Sequence, residues 1–197
     1  MQLHVVIPSF NAPTDRLSRA VRSALNIDHV ARVWVIDDGS AEPVRRADLP
    51  EDGRLMVVRQ DNAGPSSARN HGLELAADAD AVVFLDDDDE LLADGVQALL
   101  ELGDQLGASG LVGARVEVQE GAEGDALAAA EPTPTFRAVP TEWAEQALPS
   151  PSDVFAPLVI FSGSGLLVTT IALEAGVRFD TDILIGEDRD FLRACGE

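Results

Sequence analysis

Short apolar runs alternate along this chain with longer stretches in which apolar positions recur at helical spacing. Residues 3–8, LHVVIP, predict a first strand. The loop through Pro13 leads to a helix that starts near Thr14 and Asp15 and carries Leu17, Ala20, Val21, Ala24 and Leu25 on one face. Residues 32–37, RVWVID, predict a second strand that runs into a turn at Asp37, Asp38, Gly39 and Ser40. Residues 55–59, LMVVR, predict a third, and a loop from Asp61 to Pro65 opens a helix over 66–77. VVFLD at 82–86 predicts a fourth strand, followed by a helix over 92–106. Strands alternating with helices through short loops indicate parallel βαβ units. Most of these strands end in Pro or Asp followed by polar residues. The polar groups therefore collect at one sheet edge, where open α/β folds bind ligands.

The second half of the chain is less regular. Residues 111–119, LVGARVEVQ, alternate as a strand does, whereas 120–152 hold two glycines, an Ala-rich patch and the prolines Pro132, Pro134, Pro140, Pro149 and Pro151. Trp143 lies within that stretch and Phe155 just past it, and each reads as a core aromatic. Residues 158–168 are apolar around a small-residue turn, Ser162 to Gly165, and residues 172–175 predict a short helix with Gly176 as its C-terminal glycine. The chain then runs through Ile183, Gly186, Glu187 and Asp188 into a further helix.

A length of 197 residues fits one α/β domain with a modest insertion. With 14 basic against 35 acidic residues the net charge is −21, which excludes a nucleic-acid binder and disfavours attraction to an anionic membrane surface. The chain has no lysine, so a P-loop lysine, a Schiff base and lysine-dependent phosphoryl chemistry are excluded. Such an acidic, Ala-rich, Lys-free composition also hints at a GC-rich genome or a salt-rich cytoplasm. Cys195 is the sole cysteine, so no intrachain disulfide is expected and the thiol reads as structural. Nothing approaches the roughly 20 apolar residues of a membrane span, and no signal peptide is recognisable. A soluble cytoplasmic protein is the expectation, with room for peripheral membrane association.

Against this acidic background one run stands out. Asp86, Asp87, Asp88 and Asp89 follow the apolar fourth strand with no cation between them. Their mutual repulsion calls for an opposing charge, and Mg²⁺ commonly takes one or two carboxylates, sharing its other positions with water and phosphates. The plainer reading is a solvated acidic turn that caps the next helix.

VVIPSFN at 5–11, VIDDGS at 35–40, NAGPSSARNHGL at 62–73, FLDDDDEL at 84–91 and GEDRDFL at 186–192 occur in this order. Together they resemble the family 2 glycosyltransferases, over nearly the whole chain and least over 120–157. The resemblance implies a GT-A fold: α/β, Rossmann-like, with a mixed, mostly parallel sheet and helices on both faces. It implies a single domain over 1–197, with a nucleotide-sugar-binding half at 1–106 and an acceptor and catalytic half at 107–197. It implies an inverting, metal-dependent transfer from a nucleoside-diphosphate sugar, UDP- or dTDP-linked, to a hydroxyl acceptor in cell-surface polysaccharide or glycoconjugate synthesis.

Residue by residue, the resemblance carries nucleotide-sugar contacts onto Pro8, Phe10, Asn11, Asp37, Asp38, Arg69, Asp86 and Asp87. Phe10 would lie against the base, and Asp38 would accept from its imide N–H. Asp37 and Asp38 also suit the capping of the Gly39–Ser40 turn, and Arg69 also suits an ion pair with one of the many carboxylates. Asp86 and Asp88 match the family's DxD motif and would hold a divalent cation, Mg²⁺ or Mn²⁺, with Asp87 as a substitute because four aspartates leave the register open. Asp188 matches the general base. At a helix start the dipole is expected to keep it ionised, with Gly186 allowing close approach and with Glu187 and Asp190 pointing elsewhere.

Two features depart from the pattern. Family members usually continue past the last helix, so a shortened C-terminus is expected, and no His follows residue 71 to serve as a metal ligand. Receiver domains and haloacid-type phosphatases also place aspartates after a strand, but both need a lysine. A nucleotidyltransferase would have a glycine-rich basic loop where IPSFNAP stands. The remaining alternative is a non-catalytic nucleotide-sugar-binding module of the same fold.

Overall fold

The computed structural model describes residues 1–112, 137–139, 166–183 and 187–195. Strands β1 (Leu3–Ser9), β2 (Val30–Asp38), β3 (Leu55–Gln60) and β4 (Ala81–Phe84) alternate with helices α1 (Thr14–Leu25), α2 (Pro65–Leu75) and α3 (Ala93–Leu106). Then follow β5 (Gly110–Val112), β6 (Arg137–Val139), β7 (Leu166–Thr169), α4 (Thr170–Glu174) and α5 (Glu187–Cys195). The expected elements of the first half are present, with ends shifted by a residue or two. Trp143, Phe155, the 162–165 turn and Gly186 lie outside the described residues.

The sheet runs β3-β2-β1-β4-β7-β5-β6. The first four strands are parallel, whereas β7 pairs antiparallel with both β4 and β5, and β6 antiparallel with β5. The sheet is thus mixed and mostly parallel through its centre. β4 is fully buried, as a central strand must be, and ends at Phe84, so Leu85 and Asp86 already belong to the turn.

Alternation along β1 divides the core. Leu3, Val5 and Ile7 face α1 and α3, packing with Leu17, Val21 and Leu99. Val6, together with Ile36, Val82 and Phe84, faces α2, α4 and α5, packing with Leu73, Ala172 and Phe191. Gly72 is where α2 lies on β1: a Cβ there would overlap Val6 Cγ1 and come within 2.8 Å of Cγ2. The absence of a side chain lets the helix sit low on the sheet.

Three phenylalanines fasten α5 to the parallel half. Phe179 stacks on Phe191 at 3.9 Å between centroids, and both meet Phe84 edge-on. Cys195 closes the same layer. Burial pushes its thiol up to about 12, as befits a structural rather than a reactive cysteine.

Candidate active site

The carboxyl ends of β1, β2 and β4 surround a concavity of about 460 Å³. Pro8, Phe10, Asp38, Arg69, Asp86, Asp87 and Asp88 line it, with Ser9, Asn62, Gly64, Pro65 and Ala68. Asn11 and Asp37 do not. A cavity of similar size, about 490 Å³, opens behind Ser40 between α1 and the 42–49 loop, but none of the expected site residues lines it.

Asp37 is buried and serves the turn. Its Oδ1 accepts the Ser40 amide at 2.9 Å, and its Oδ2 accepts the Val44 amide at 3.1 Å and Arg59 Nη1 at 2.6 Å. Burial alone would raise its pKa, but these donors outweigh it and hold the carboxyl below the usual range. Gly39 completes the turn at φ +75°, with no room for a side chain beside the Asn62 backbone. Asn11 adopts φ +54° and ties the β1 loop to that turn, its Oδ1 accepting the Ala41 amide at 2.8 Å while its own amide donates to Ser40 Oγ at 2.9 Å.

Asp38 faces the concavity from below. Oδ1 accepts from Gln60 Nε2 at 2.8 Å and the Ala63 amide at 3.0 Å, and Oδ2 from the Gly64 amide at 2.9 Å. Phe10 stands at the mouth, 52% exposed, which is unusual for a phenylalanine and suits an aromatic that awaits a flat partner.

The aspartate run is sorted by its surroundings. Asp86 turns to Arg69 Nη2, at 3.1 Å. Asp87 turns back to the β1 loop, where burial pushes its carboxyl up, the Ser9 hydroxyl and Phe10 amide oppose that, and Asp88 and Asp86 add like-charge repulsion. Asp88 is exposed at the rim. Among the described residues no three metal-ligating side chains converge. The donor set here is hard oxygen, one to two carboxylates beside an open concavity, which fits Mg²⁺ or Mn²⁺ completed by phosphate and water.

Arg69 is the buried centre of the site. It comes from the second turn of α2, and besides Asp86 its Nη1 meets Glu187 Oε1 at 3.2 Å and Asp188 Oδ1 at 3.4 Å. Its guanidinium carbon lies 5.4 Å from the Phe179 ring centre. One cation thus holds the head of the aspartate run against the start of α5. The ion pair that also suits Arg69 in the sequence is present, and it is buried.

Asp188 corrects the sequence reading. Its pKa is raised to about 6, first by burial, with Glu187 and Asp86 adding to the rise and Arg69 opposing it. The helix start does not keep it low, because burial, Glu187 and Asp86 outweigh the dipole and Arg69, and because Asp188 Oδ1 is buried without a hydrogen-bond partner among the described residues. Glu187 also departs from expectation, sharing Arg69 with Asp188. Asp190 points away, as expected, and pairs with Arg193 at 2.9 Å.

Gln60 and His71 bear on the site but were not singled out from the sequence. The available signal was Gln60's place as the last residue of a strand, opposite Asp38 in register.

The family profile described as Glycosyl transferase family 2 matches residues 4–151. The chain belongs to glycosyl transferase family 2. This family 2 chain is 45% identical over 76 residues to the succinoglycan biosynthesis protein ExoU of Rhizobium meliloti, a stretch that covers 36% of the chain and 22% of that protein. It is 42% identical over 95 residues to ExoW of the same organism, covering 45% of the chain and 30% of ExoW. It is 32% identical over 106 residues to the GalNAc(5)-diNAcBac-PP-undecaprenol beta-1,3-glucosyltransferase of Campylobacter jejuni, covering 51% and 34%. The matched stretches therefore span about a fifth to a third of these relatives. Among solved structures, S. aureus TarS 1–349 superposes with a TM-score of 0.64 at 18% identity, over 99% of this chain and 55% of that one. The same protein has been solved with UDP-GlcNAc, and that structure superposes with a TM-score of 0.63 at 18% identity, over 99% of this chain and 53% of the other. The family 2 chain has the GT-A fold.

Proposed function

We propose that the chain is an inverting glycosyltransferase that moves a sugar from a nucleoside-diphosphate sugar, with uridine or thymidine as the nucleoside, to a hydroxyl acceptor in polysaccharide or glycoconjugate synthesis at the cell surface. The observation that carries this reading is the Arg69 cluster, which holds Asp86 and Asp188 on one guanidinium. A donor bound at the aspartate run would then present its anomeric carbon near a carboxylate able to take a proton.

In this reading Pro8, Phe10 and Asp38 hold the base, with Asn11 and Asp37 shaping their loops. Arg69, Asp86 and Asp87 border the ribose and phosphates. Asp88, with Asp86, would hold Mg²⁺ or Mn²⁺, which when bound offsets the charge that builds on the leaving diphosphate. Asp188 takes the acceptor hydroxyl proton as that oxygen attacks the anomeric carbon from the face opposite the diphosphate. The new C–O bond forms as the bond to the phosphate oxygen breaks, and the nucleoside diphosphate leaves. The folded-state pKa of about 6 suits this work, being low enough to be ionised at neutral pH and high enough to be basic.

The UDP-GlcNAc complex of the structural neighbour TarS supports a uridine donor. Residues 120–160, mostly outside the described residues, are proposed as one wall of the acceptor site, since specificity resides in irregular segments carried by a rigid scaffold. None of the described helices is long and apolar enough to cross a membrane, and a cytoplasmic location is part of the proposal. The test is a turnover assay over UDP-, dTDP- and GDP-sugars beside a donor titration on Asp188→Asn. Retained binding with transfer lowered by roughly 10²–10⁴ is expected. A wild-type chain that binds donors but neither transfers nor hydrolyses them would instead be a binding module.

A further inference from the structure

We propose that Gln60 and His71 are positioning residues that set nucleoside specificity, by fixing which way Asp38 presents its last free acceptor position. The proposal rests on the reading of Asp38 as the residue that meets the base.

The polarity of this network follows from its carboxylate. Asp38 accepts three N–H groups, from Gln60, Ala63 and Gly64. A carboxylate that accepts on both oxygens can be approached by Gln60 only through the amide nitrogen, so Gln60 Nε2 faces Asp38. Its second hydrogen goes to Ser67 Oγ at 3.3 Å. The amide oxygen must then face His71, whose Nδ1 lies 2.8 Å away. Since that oxygen only accepts, Nδ1 of His71 carries the hydrogen and donates it.

Strand and helix geometry build this chain of contacts. Gln60 ends β3 directly opposite Asp38 at the end of β2. Ser67 and His71 lie one turn apart on α2, on the face above Gln60. Each donor and acceptor of the Gln60 side chain is therefore engaged.

The consequence is chemical selection. Two donors occupy Oδ1 of Asp38 and one occupies Oδ2, which leaves one acceptor position on Oδ2 of a buried carboxylate bordering the concavity. Uracil and thymine offer an N–H at ring position 3, and cytosine offers a lone pair there. The first fits this position and the second is repelled. If the Gln60 amide turned over, its oxygen would face Oδ1, the carboxylate would swing, and the contrast between the bases would fade. The His71 N–H opposes that turn.

The test is the ratio of UDP to CDP affinity by calorimetry at fixed MgCl2, for the wild type and for Asp38→Asn, Gln60→Glu, His71→Ala and His71→Asn. A ratio cancels what phosphate and cation contribute, so it reads the base alone. The wild type is expected to favour UDP by roughly 10–100-fold. Asp38→Asn should abolish that preference, and Gln60→Glu should cut it about tenfold, because an oxygen then faces Asp38. His71→Ala should cut it about threefold and His71→Asn should restore it, since asparagine can place an N–H where Nδ1 stood. If Gln60→Glu does not fold, the two His71 variants carry the test from the outer end of the network. Loss of the preference in Asp38→Asn with unchanged ratios in every Gln60 and His71 variant that folds would overturn this inference and leave the base reading standing. A wild type without preference, or one that Asp38→Asn does not alter, would overturn the base reading itself.

Discussion

A carboxylate in the first turn of a helix ordinarily gains from the dipole, yet Asp188 is pushed up to about 6. The reason is desolvation by burial, with the like charges of Glu187 and Asp86 adding to it and Arg69 only partly opposing it. Because the folded value lies above the ordinary 3.8, Asp188 contributes stability that is complete below about pH 3.8 and lost as pH rises through about 6. In the proposed reaction the same deprotonation would create the base, so kcat/KM for the free enzyme is expected to rise through a pKa near 6. In denaturant unfolding, Asp188→Asn should remove about 1–3 kcal/mol of the stability that wild type loses between pH 4 and pH 7. An unchanged difference between the two pH values would place the titrating group elsewhere. The place of this residue at a helix start was legible in the sequence, because GEDRDFL marks it. Its raised pKa was not, because no local pattern reveals how deeply the fold buries a carboxylate or which distant carboxylates come to lie beside it. Asp37 is the reverse case: its turn-capping role followed from DDGS directly, since Gly39 and Ser40 are its neighbours.

At the scale of elements, α2 carries most of what crosses the site: Ser67 and His71 towards Gln60, and Arg69 towards α5. Its height over the sheet is set by Gly72 on Val6. Gly72→Ala is expected to destabilise the fold by about 1–3 kcal/mol by overpacking, and Val6→Ala in the same chain should recover part of that loss. Equal losses added without recovery in urea titrations would show that the helix does not rest on that contact. The βα units of the first half were readable because period and punctuation agree there. β7 was harder: it is four residues long, and its antiparallel place between β4 and β5 depends on partners far along the chain. The pattern of apolar positions cannot distinguish such a strand from any other short apolar run.

For the molecule as a whole, the proposed donor is an anion that would have to bind a chain of net charge −21. UDP binding is therefore expected to fall at least about tenfold when EDTA replaces MgCl2, with Asp88→Asn weakening the Mg²⁺ dependence more than Asp89→Asn. Equal affinity in both buffers would exclude the cation from binding. Added NaCl should raise the thermal midpoint of the free protein by screening its self-repulsion. The assembly of the sheet has one more consequence. Val112, at the end of β5, and Leu166, at the start of β7, are direct register partners. Wherever the chain travels between them, it departs and returns at neighbouring positions, one strand spacing or about 5 Å apart. A protein engineer could treat that pair as a socket: a corresponding segment from a relative needs matching ends and a strand to take the place of β6 beside β5, and on the proposed reading it would carry new acceptor preferences while donor selection and the base remain in place.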